Sequence, residues 1–351
     1  MNSLSRVLID WYRVNCRDLP WRKTCDPYKI WLSEIILQQT QVKTGLAYYK
    51  RIVDKYPDVQ SLAASEKDVF MKLWQGLGYY RRAENMLKTA EYVYKHMDGK
   101  LPASYSGLLN LKGIGEYTAA AIASFAYNEA VPVIDGNVRR VISRLYDIAL
   151  VQNSRAFENE IKQGLNMIFD KDNPADFNQA IMEFGALLCR KQPLCDECPL
   201  QTKCLAYKHN VQNHRPVKSK NKSKKHRHFY YVLIKKDNRL PLVRRNDTDI
   251  WRSLYEFPVV ELEEKASDKQ ILTSIDQKYD AALSSIVHVE SFAAHILTHQ
   301  AIHAHVYLAG GILPDNIEMV NAENLHLYPV HRLMDKIMGS ARVKSVIFPG
   351  F

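Results

Sequence analysis

The sequence predicts a two-domain chain, an all-α first domain followed by a smaller α+β domain, and three observations carry that reading. Helical amphipathic periodicity runs to about residue 188, with breaks at Pro57, Gly76 to Gly78, Pro102, Gly113 to Gly115 and Pro132. No acidic residue occurs between Cys198 and Lys236, and Arg215 to His228 alternates Lys and Arg with Ser, Asn and His, the composition of a linker. Beyond it the pattern changes to short alternating segments, His228 to Ile234 and Ala301 to Tyr307, suited to half-buried strands. The boundaries fall at 1–208 for the helical region, 209–228 for the linker and 229–351 for the α+β domain. At 351 residues both parts are large enough to bury a core without disulfides.

Asp10, Arg13 and Arg17 interrupt the first twenty residues, which excludes a signal peptide, and no apolar run is long enough for a bilayer. The expectation is a monomer of the cytoplasm or nucleoid with no membrane partner. The formal charge of +10 favours a polyanionic partner, because Lys and Arg that neutralise phosphates release counterions.

In chain order, the first notable element is the helix expected from Tyr28 to Val42. It is apolar on most faces, yet Glu34, Gln38 and Gln41 fall at i, i+4 and i+7 as one polar stripe. Solvent exposure is the plain explanation. A surface where Gln38 and Gln39 replace a displaced base is the functional one. Leu111 to Ala119 reads as a helix-hairpin-helix, with Gly113 and Gly115 permitting a tight turn and close approach of a phosphate to the next helix N-terminus. Asp135 stands at a helix start, where it serves as an N-cap and could also face a developing cation. Asn173 and Pro174 provide a cap and a first-turn proline. Cys189, Cys195, Cys198 and Cys204 fall within sixteen residues, a spacing that suits zinc or an iron–sulfur centre equally.

Together these motifs resemble the MutY family of adenine DNA glycosylases, within the helix-hairpin-helix superfamily that includes endonuclease III. The resemblance runs over nearly the whole chain. It rests on Leu19-Pro-Trp-Arg, Trp31-Leu-Ser-Glu-Ile-Ile-Leu-Gln-Gln-Thr-Gln-Val, Gly76-Leu-Gly-Tyr-Tyr-Arg-Arg-Ala, the hairpin, Val133-Ile-Asp-Gly-Asn-Val-Arg-Arg-Val and the cysteines. It implies excision of adenine from duplex DNA opposite 8-oxoguanine or G, with Glu34 as general acid, Asp135 stabilising an oxocarbenium-like sugar, and Tyr117 and Asn137 supporting them. Endonuclease III-like enzymes carry a lysine nucleophile where Tyr117 stands, and Lys112 is not the aligned position, so the implied enzyme is monofunctional. Trp21 and Arg22 match the adenine pocket. Leu37, Gln38, Gln39 and Tyr79 match residues that fill the duplex around the flipped base.

The resemblance also implies a [4Fe–4S] cluster on the four cysteines, although five residues separate Cys189 from Cys195 where the family typically has six. It makes the C-terminal domain Nudix-like through Ile250-Trp-Arg-Ser-Leu-Tyr-Glu-Phe-Pro, without the glutamate-rich helix that binds magnesium, so its implied role is recognition. Leu297-Thr-His matches the loop that checks for 8-oxoguanine, through Thr298 and His299. The competing readings are a bifunctional glycosylase/lyase for oxidised pyrimidines and a non-catalytic damage-binding protein.

Overall fold

In the computed structural model, which describes residues 3–219, 223–245 and 249–348, the chain forms two units: Met1–Ala64 with Asn85–Lys220, and Ser65–Glu84 with Asn221–Phe351. Residues 220–222 of the expected linker lie outside the described residues. No helix among those described is long and apolar enough to cross a membrane.

The first unit is helical. Leu8 and Ile9 of Ser3–Asn15, Val138 and Ile142 of Gly136–Leu145, Phe157 and Ile161 of Arg155–Ile168, and Phe177, Ile181 and Phe184 of Pro174–Leu187 share one buried cluster. Each such side chain contributes about 1.5–3 kcal/mol on burial. Small residues set the closest approaches. A Cβ on Gly185 would stand 2.7 Å from Asn137 Cβ, so only glycine lets the helices Pro174–Leu187 and Gly136–Leu145 meet there.

Two local expectations are corrected. The helix expected over Tyr28–Val42 is two helices, Pro27–Leu37 and Val42–Lys55. Gln38 leaves helical geometry at ψ 111° and Gln39 takes φ +58°, so Glu34, Gln38 and Gln41 form no common stripe. Asn173 makes no side-chain cap; Asp170 instead accepts from the amides of Asp172 and Asn173.

The segment expected as linker is partly tied down, since Arg215 pairs with Asp147 at 2.7 Å and Val217 bridges Val151. Strand β1 (Lys225–Ile234) opens the α+β part, so the last residues read as linker are already strand. It is followed by β2 (Arg239–Arg244), β3 (Tyr255–Glu256), β4 (Val259–Leu262), β5 (Ala282–Ile296), β6 (Gln300–Ile312) and β7 (Glu318–Asn321). One sheet runs β4-β1-β6-β5, with β1 and β6 parallel; the other runs β3-β2-β7. Alternation sends Phe229, Tyr231 and Leu233 of β1 into one core and Tyr230, Val232 and Ile234 into another, under the helix Asp268–Tyr279. That helix carries no glutamate.

Candidate active site

The hairpin positions the first candidate. Gly113 takes φ +81°, and a Cβ there would stand 2.6 Å from Asn85 Cβ, so this position needs glycine twice over. Gly115 is an ordinary extended N-cap, φ −93°, with open space around it. The expectation that both glycines shape the turn therefore holds for Gly113 alone. The following helix, Glu116–Tyr127, is rich in buried alanines and packs against Pro27–Leu37, which brings Tyr117 to Glu34.

Seven residues singled out from sequence, Trp21, Arg22, Glu34, Leu37, Tyr117, Asp135 and Asn137, line one cavity of about 470 Å³. That volume lies in the range of small-molecule sites, roughly 300–1,000 Å³. Glu34 is 5% exposed, and Tyr117 donates its phenolic hydrogen to Glu34 Oε2. Burial pushes the Glu34 carboxyl up to about 7, the Tyr117 bond opposes the rise, and the charge of Asp135 adds to it. The two carboxylates thus act on each other across 101 residues of sequence, between positions 34 and 135.

Asp135 caps Gly136–Leu145 by accepting from Val138 N at 2.7 Å, and its other oxygen accepts from Asn137 Nδ2 at 2.7 Å. Burial raises its carboxyl above the ordinary value, while both bonds and the nearby Arg140 favour the charged form. Arg140 extends the network: Nη2 donates to Asn137 Oδ1 and Gly185 O, and Nε donates to Cys189 O at 2.8 Å.

Trp21 sits buried on the 3₁₀ turn Pro20–Arg22, edge-on to Tyr49 at 5.0 Å. Arg22 and Arg17 both grip Glu183, whose carboxyl burial alone would raise and these guanidiniums hold down to about 2. Glu183 and Gln179 line the cavity and were missed in the sequence. Their signal was available: they lie at i and i+4 on Pro174–Leu187, whose neighbouring positions Ala180, Ile181 and Phe184 are core. Gln38 and Gln39 stand at the end of the helix that carries Glu34, with Gln38 Nε2 donating to Thr118 Oγ1 at 3.2 Å.

In the second unit, Tyr79, Thr298 and His299 line another cavity with Trp251. Tyr79, 49% exposed, meets Thr298 through a hydroxyl pair at 3.0 Å. His299 lies in the turn between β5 and β6. Trp251 stacks flat on buried His331 at 3.8 Å and gives this cavity a rigid wall.

The four cysteines line a third cavity, of about 30 Å³, together with Arg144, Leu188 and Leu194. All six cysteines are free thiols. Among the described residues no three His, Cys, Asp or Glu side chains converge as ligands of a single ion. Arg144 is 3% exposed, and its bonds run to the carbonyls of Cys189, Arg190, Lys191 and Gln212 and to Cys189 Sγ. Burial raises the thiols of Cys195 and Cys204 and pushes that of Cys198 up to about 12, so by themselves they favour the neutral form.

Residues 32–167 match the HhH-GPD superfamily base excision DNA repair protein family, and residues 229–340 match the NUDIX domain family. The chain is 37% identical over 297 residues to an adenine DNA glycosylase of Buchnera aphidicola subsp. Schizaphis graminum (strain Sg), covering 84% of this chain and 86% of that protein. It is 37% identical over 300 residues to the adenine DNA glycosylase of Arabidopsis thaliana, covering 74% of this chain and 48% of that one. Against that of Homo sapiens it is 39% identical over 209 residues, covering 57% and 38%. Among solved structures, a thermostable thymine-DNA glycosylase aligns with TM-score 0.52 at 27% identity, over 59% of this chain and 95% of that one. A trapped endonuclease III–DNA covalent intermediate shares the fold, with TM-score 0.51 at 22% identity over 59% and 95%.

Proposed function

This chain belongs to the adenine DNA glycosylase family, and from that premise we propose that it is a monofunctional enzyme excising adenine opposite 8-oxoguanine, or G, in duplex DNA. It is a base excision repair DNA glycosylase of the helix-hairpin-helix superfamily with a C-terminal Nudix-like domain. The observation that carries the finer reading is the cavity shared by Glu34, held near pKa 7, and a hydrogen-bonded Asp135.

In this reading Glu34 keeps a proton that unburied glutamate would have lost, and gives it to a ring nitrogen of the flipped adenine so that the base leaves neutral. Tyr117 occupies Oε2, which leaves Oε1 to carry the proton into the cavity. Asp135 is fixed by Val138 N and Asn137 and opposes the positive charge that builds on the sugar as the N-glycosidic bond breaks. Water then completes hydrolysis. A tyrosine at 117 offers no amine for a Schiff base, which supports base removal without a coupled strand cut. Trp21 and Arg22 would hold the adenine, Leu37, Gln38 and Gln39 would fill the duplex, the amides after Gly113 and Gly115 would take a phosphate, and Tyr79, Thr298 and His299 would read the opposite base.

Cys189, Cys195, Cys198 and Cys204 would hold a [4Fe–4S] cluster. That the four cysteines line one cavity beside the buried Arg144 supports a bound metal centre there, and the family resemblance favours the cluster over zinc. When bound, the cluster supplies a rigid, redox-capable tie across the Cys189 to Cys204 loop. The protein acts as a monomer in the cytoplasm or nucleoid.

The test is single-turnover release of adenine from A opposite 8-oxoguanine, G and T. Fastest release opposite 8-oxoguanine, and near-total loss in Glu34→Gln and Asp135→Asn proteins that still bind DNA, are expected. Normal rates in either variant would overturn the assigned roles, and efficient borohydride trapping by the wild type would show a bifunctional enzyme. Tight mispair binding with no base release would leave a damage-binding protein.

A further inference from the structure

Asp135 enters its helix from a segment, residues 128–135, that is neither helix nor strand. Pro132 within it has no amide hydrogen to give. Val133 is nevertheless fully buried against Ala120 and Ala121, and buried backbone needs hydrogen-bond partners. One side chain supplies them. Asn178 Nδ2 donates to Val131 O at 2.8 Å, and Asn178 Oδ1 accepts from Val133 N at 3.0 Å, so a single carboxamide pairs two backbone groups as a neighbouring strand would. The second amide hydrogen goes to Ser124 Oγ at 2.9 Å. These bonds permit one orientation of the amide. Exchanging its oxygen and nitrogen would set donor against donor at Val133 and acceptor against acceptor at Val131.

The same bonds join the parts that build the cavity of Glu34 and Asp135. Ser124 lies on Glu116–Tyr127, whose Tyr117 is bonded to Glu34. Asn178 lies on Pro174–Leu187, which carries Gln179 and Glu183 into that cavity. Val131 and Val133 lead into Asp135. Just before it, Ile134 O accepts from Arg139 Nη1 at 3.2 Å. Asp135, at φ −101° and ψ −173°, is thus the joint between a clamped segment and a helix seated in the core. Slack in the segment is taken up in the torsions of Asp135, the ones that aim its carboxylate at Val138 N, at Asn137 and into the cavity.

We propose that Asn178 is a positioning residue for base excision: by clamping Val131 and Val133 it fixes the backbone of Asp135 and hence the aim of its carboxylate. The inference rests on the role proposed above for Asp135. Asn178 is 0% exposed and does not line the cavity, so it acts through Asp135 and touches no substrate. A misplacement of about 1 Å at a reacting group can slow a step by about 100-fold. A slack Asp135 also loses bonding to Val138 N and Asn137, which favours its charged form, and burial then lets it take up a proton at higher pH. Glu34, Tyr117 and Arg140 are the titratable groups that act on Asp135, whereas the bonds of Asn178 run to Val131, Val133 and Ser124.

The test is single-turnover adenine release from A opposite 8-oxoguanine by full-length Asn178→Leu and Asn178→Asp proteins across pH, beside wild type and Asp135→Asn. Assays run where circular dichroism shows the variants folded, and duplex affinity is measured in a Glu34→Gln background. With enzyme in saturating excess the rate constant reports folded molecules alone, so a role confined to folding leaves it at the wild-type value. Asn178→Leu is expected to lower it ~10–100-fold, to keep duplex affinity within about 2-fold, and to move the acid-side fall in rate to higher pH. Asn178→Asp still accepts from Val133 N and loses less. A wild-type rate constant and an unmoved acid-side fall in Asn178→Leu would overturn the proposal; if that protein does not fold, a wild-type rate constant in Asn178→Asp does so alone. Failure of the premise looks different. Normal release by Asp135→Asn removes the role of Asp135, whereas an inactive Asp135→Asn beside fast Asn178 variants removes only that of Asn178.

Discussion

Tyr117 directs its phenolic hydrogen at Oε2 of Glu34, joining two helices whose contact residues are 83 positions apart in sequence. The bond favours the carboxylate, whereas burial, the larger effect, favours the acid and holds the group near 7. The protonated form is therefore present below about pH 7 and lost above it. If Glu34 is the acid, single-turnover adenine release falls about tenfold per pH unit on the alkaline side. Tyr117→Phe removes an interaction that lowers the pKa, so the fall moves to higher pH. A profile that stays in place, or moves to lower pH, would sink the assignment.

The same group makes a stability prediction of definite sign. Its folded pKa is raised above the unfolded one, so between about pH 4.5 and 7 the folded state holds a proton that the unfolded state releases. Stability consequently declines as pH rises through that window. Glu34→Gln should melt higher than wild type at pH 8 and lose that margin by pH 4, while failing to release adenine. Equal melting temperatures at pH 8 would contradict the burial argument.

Part of this site was legible in the sequence, and the rest was hidden for physical reasons. Asp135 could be read as a helix cap because capping is local, and it does cap Val138 N. Glu34 could not be read as buried: the stripe through Gln38 and Gln41 dissolves where Gln39 turns to φ +58°, a conformation no side-chain pattern announces. Glu183 escaped although its i, i+4 partner Gln179 was in view, because what makes it special is the clasp by Arg17 and Arg22 from over 160 positions away. The grouping of Ser65–Glu84 with the C-terminal residues is likewise a matter of packing, since its helical periodicity matches that of its neighbours in sequence.

Arg140 ties the carbonyl of Cys189 to the amide that holds Asp135. Arg140→Gln cannot span both partners, and a ~10–100-fold slower adenine release is expected, the range found when groups orienting a site are cut. Asn137→Ala should slow release comparably and, if the cysteines hold the proposed cluster, leave iron content unchanged, since its side chain bonds Asp135 and Arg140 and not the cysteine loop. Wild-type rates in Arg140→Gln would show the network to be incidental.

The two hairpin glycines separate fold from function. Gly113→Ala forces a side chain into φ +81° and against Asn85, so a loss of about 1–3 kcal/mol in unfolding free energy is expected. Gly115→Ala meets nothing within 4 Å and keeps an ordinary φ, so its stability should change by less than ~0.5 kcal/mol. If a phosphate approaches the backbone there, Gly115→Ala nonetheless weakens binding of duplex DNA. Unchanged DNA affinity in Gly115→Ala would remove the hairpin from the interface.

Tyr79 and Thr298 share a hydroxyl contact at 3.0 Å beside Trp251. Tyr79 adopts φ +48°, a conformation that costs a non-glycine residue energy and so needs holding in place. If the pair reads the base opposite adenine, Tyr79→Phe frees the Thr298 hydroxyl to rotate and reduces preference for 8-oxoguanine over G by about 2- to 12-fold, the worth of one neutral hydrogen bond of ~0.5–1.5 kcal/mol. Thr298→Val removes the reading group itself and reduces the preference at least as far. The double variant should then be no worse than Thr298→Val alone, because the Tyr79 hydroxyl acts only through Thr298. Release from A opposite G stays near wild type in all three, since neither side chain lines the cavity of Glu34 and Asp135. Equal losses on both substrates would instead mean that the pair supports DNA binding without reading the lesion.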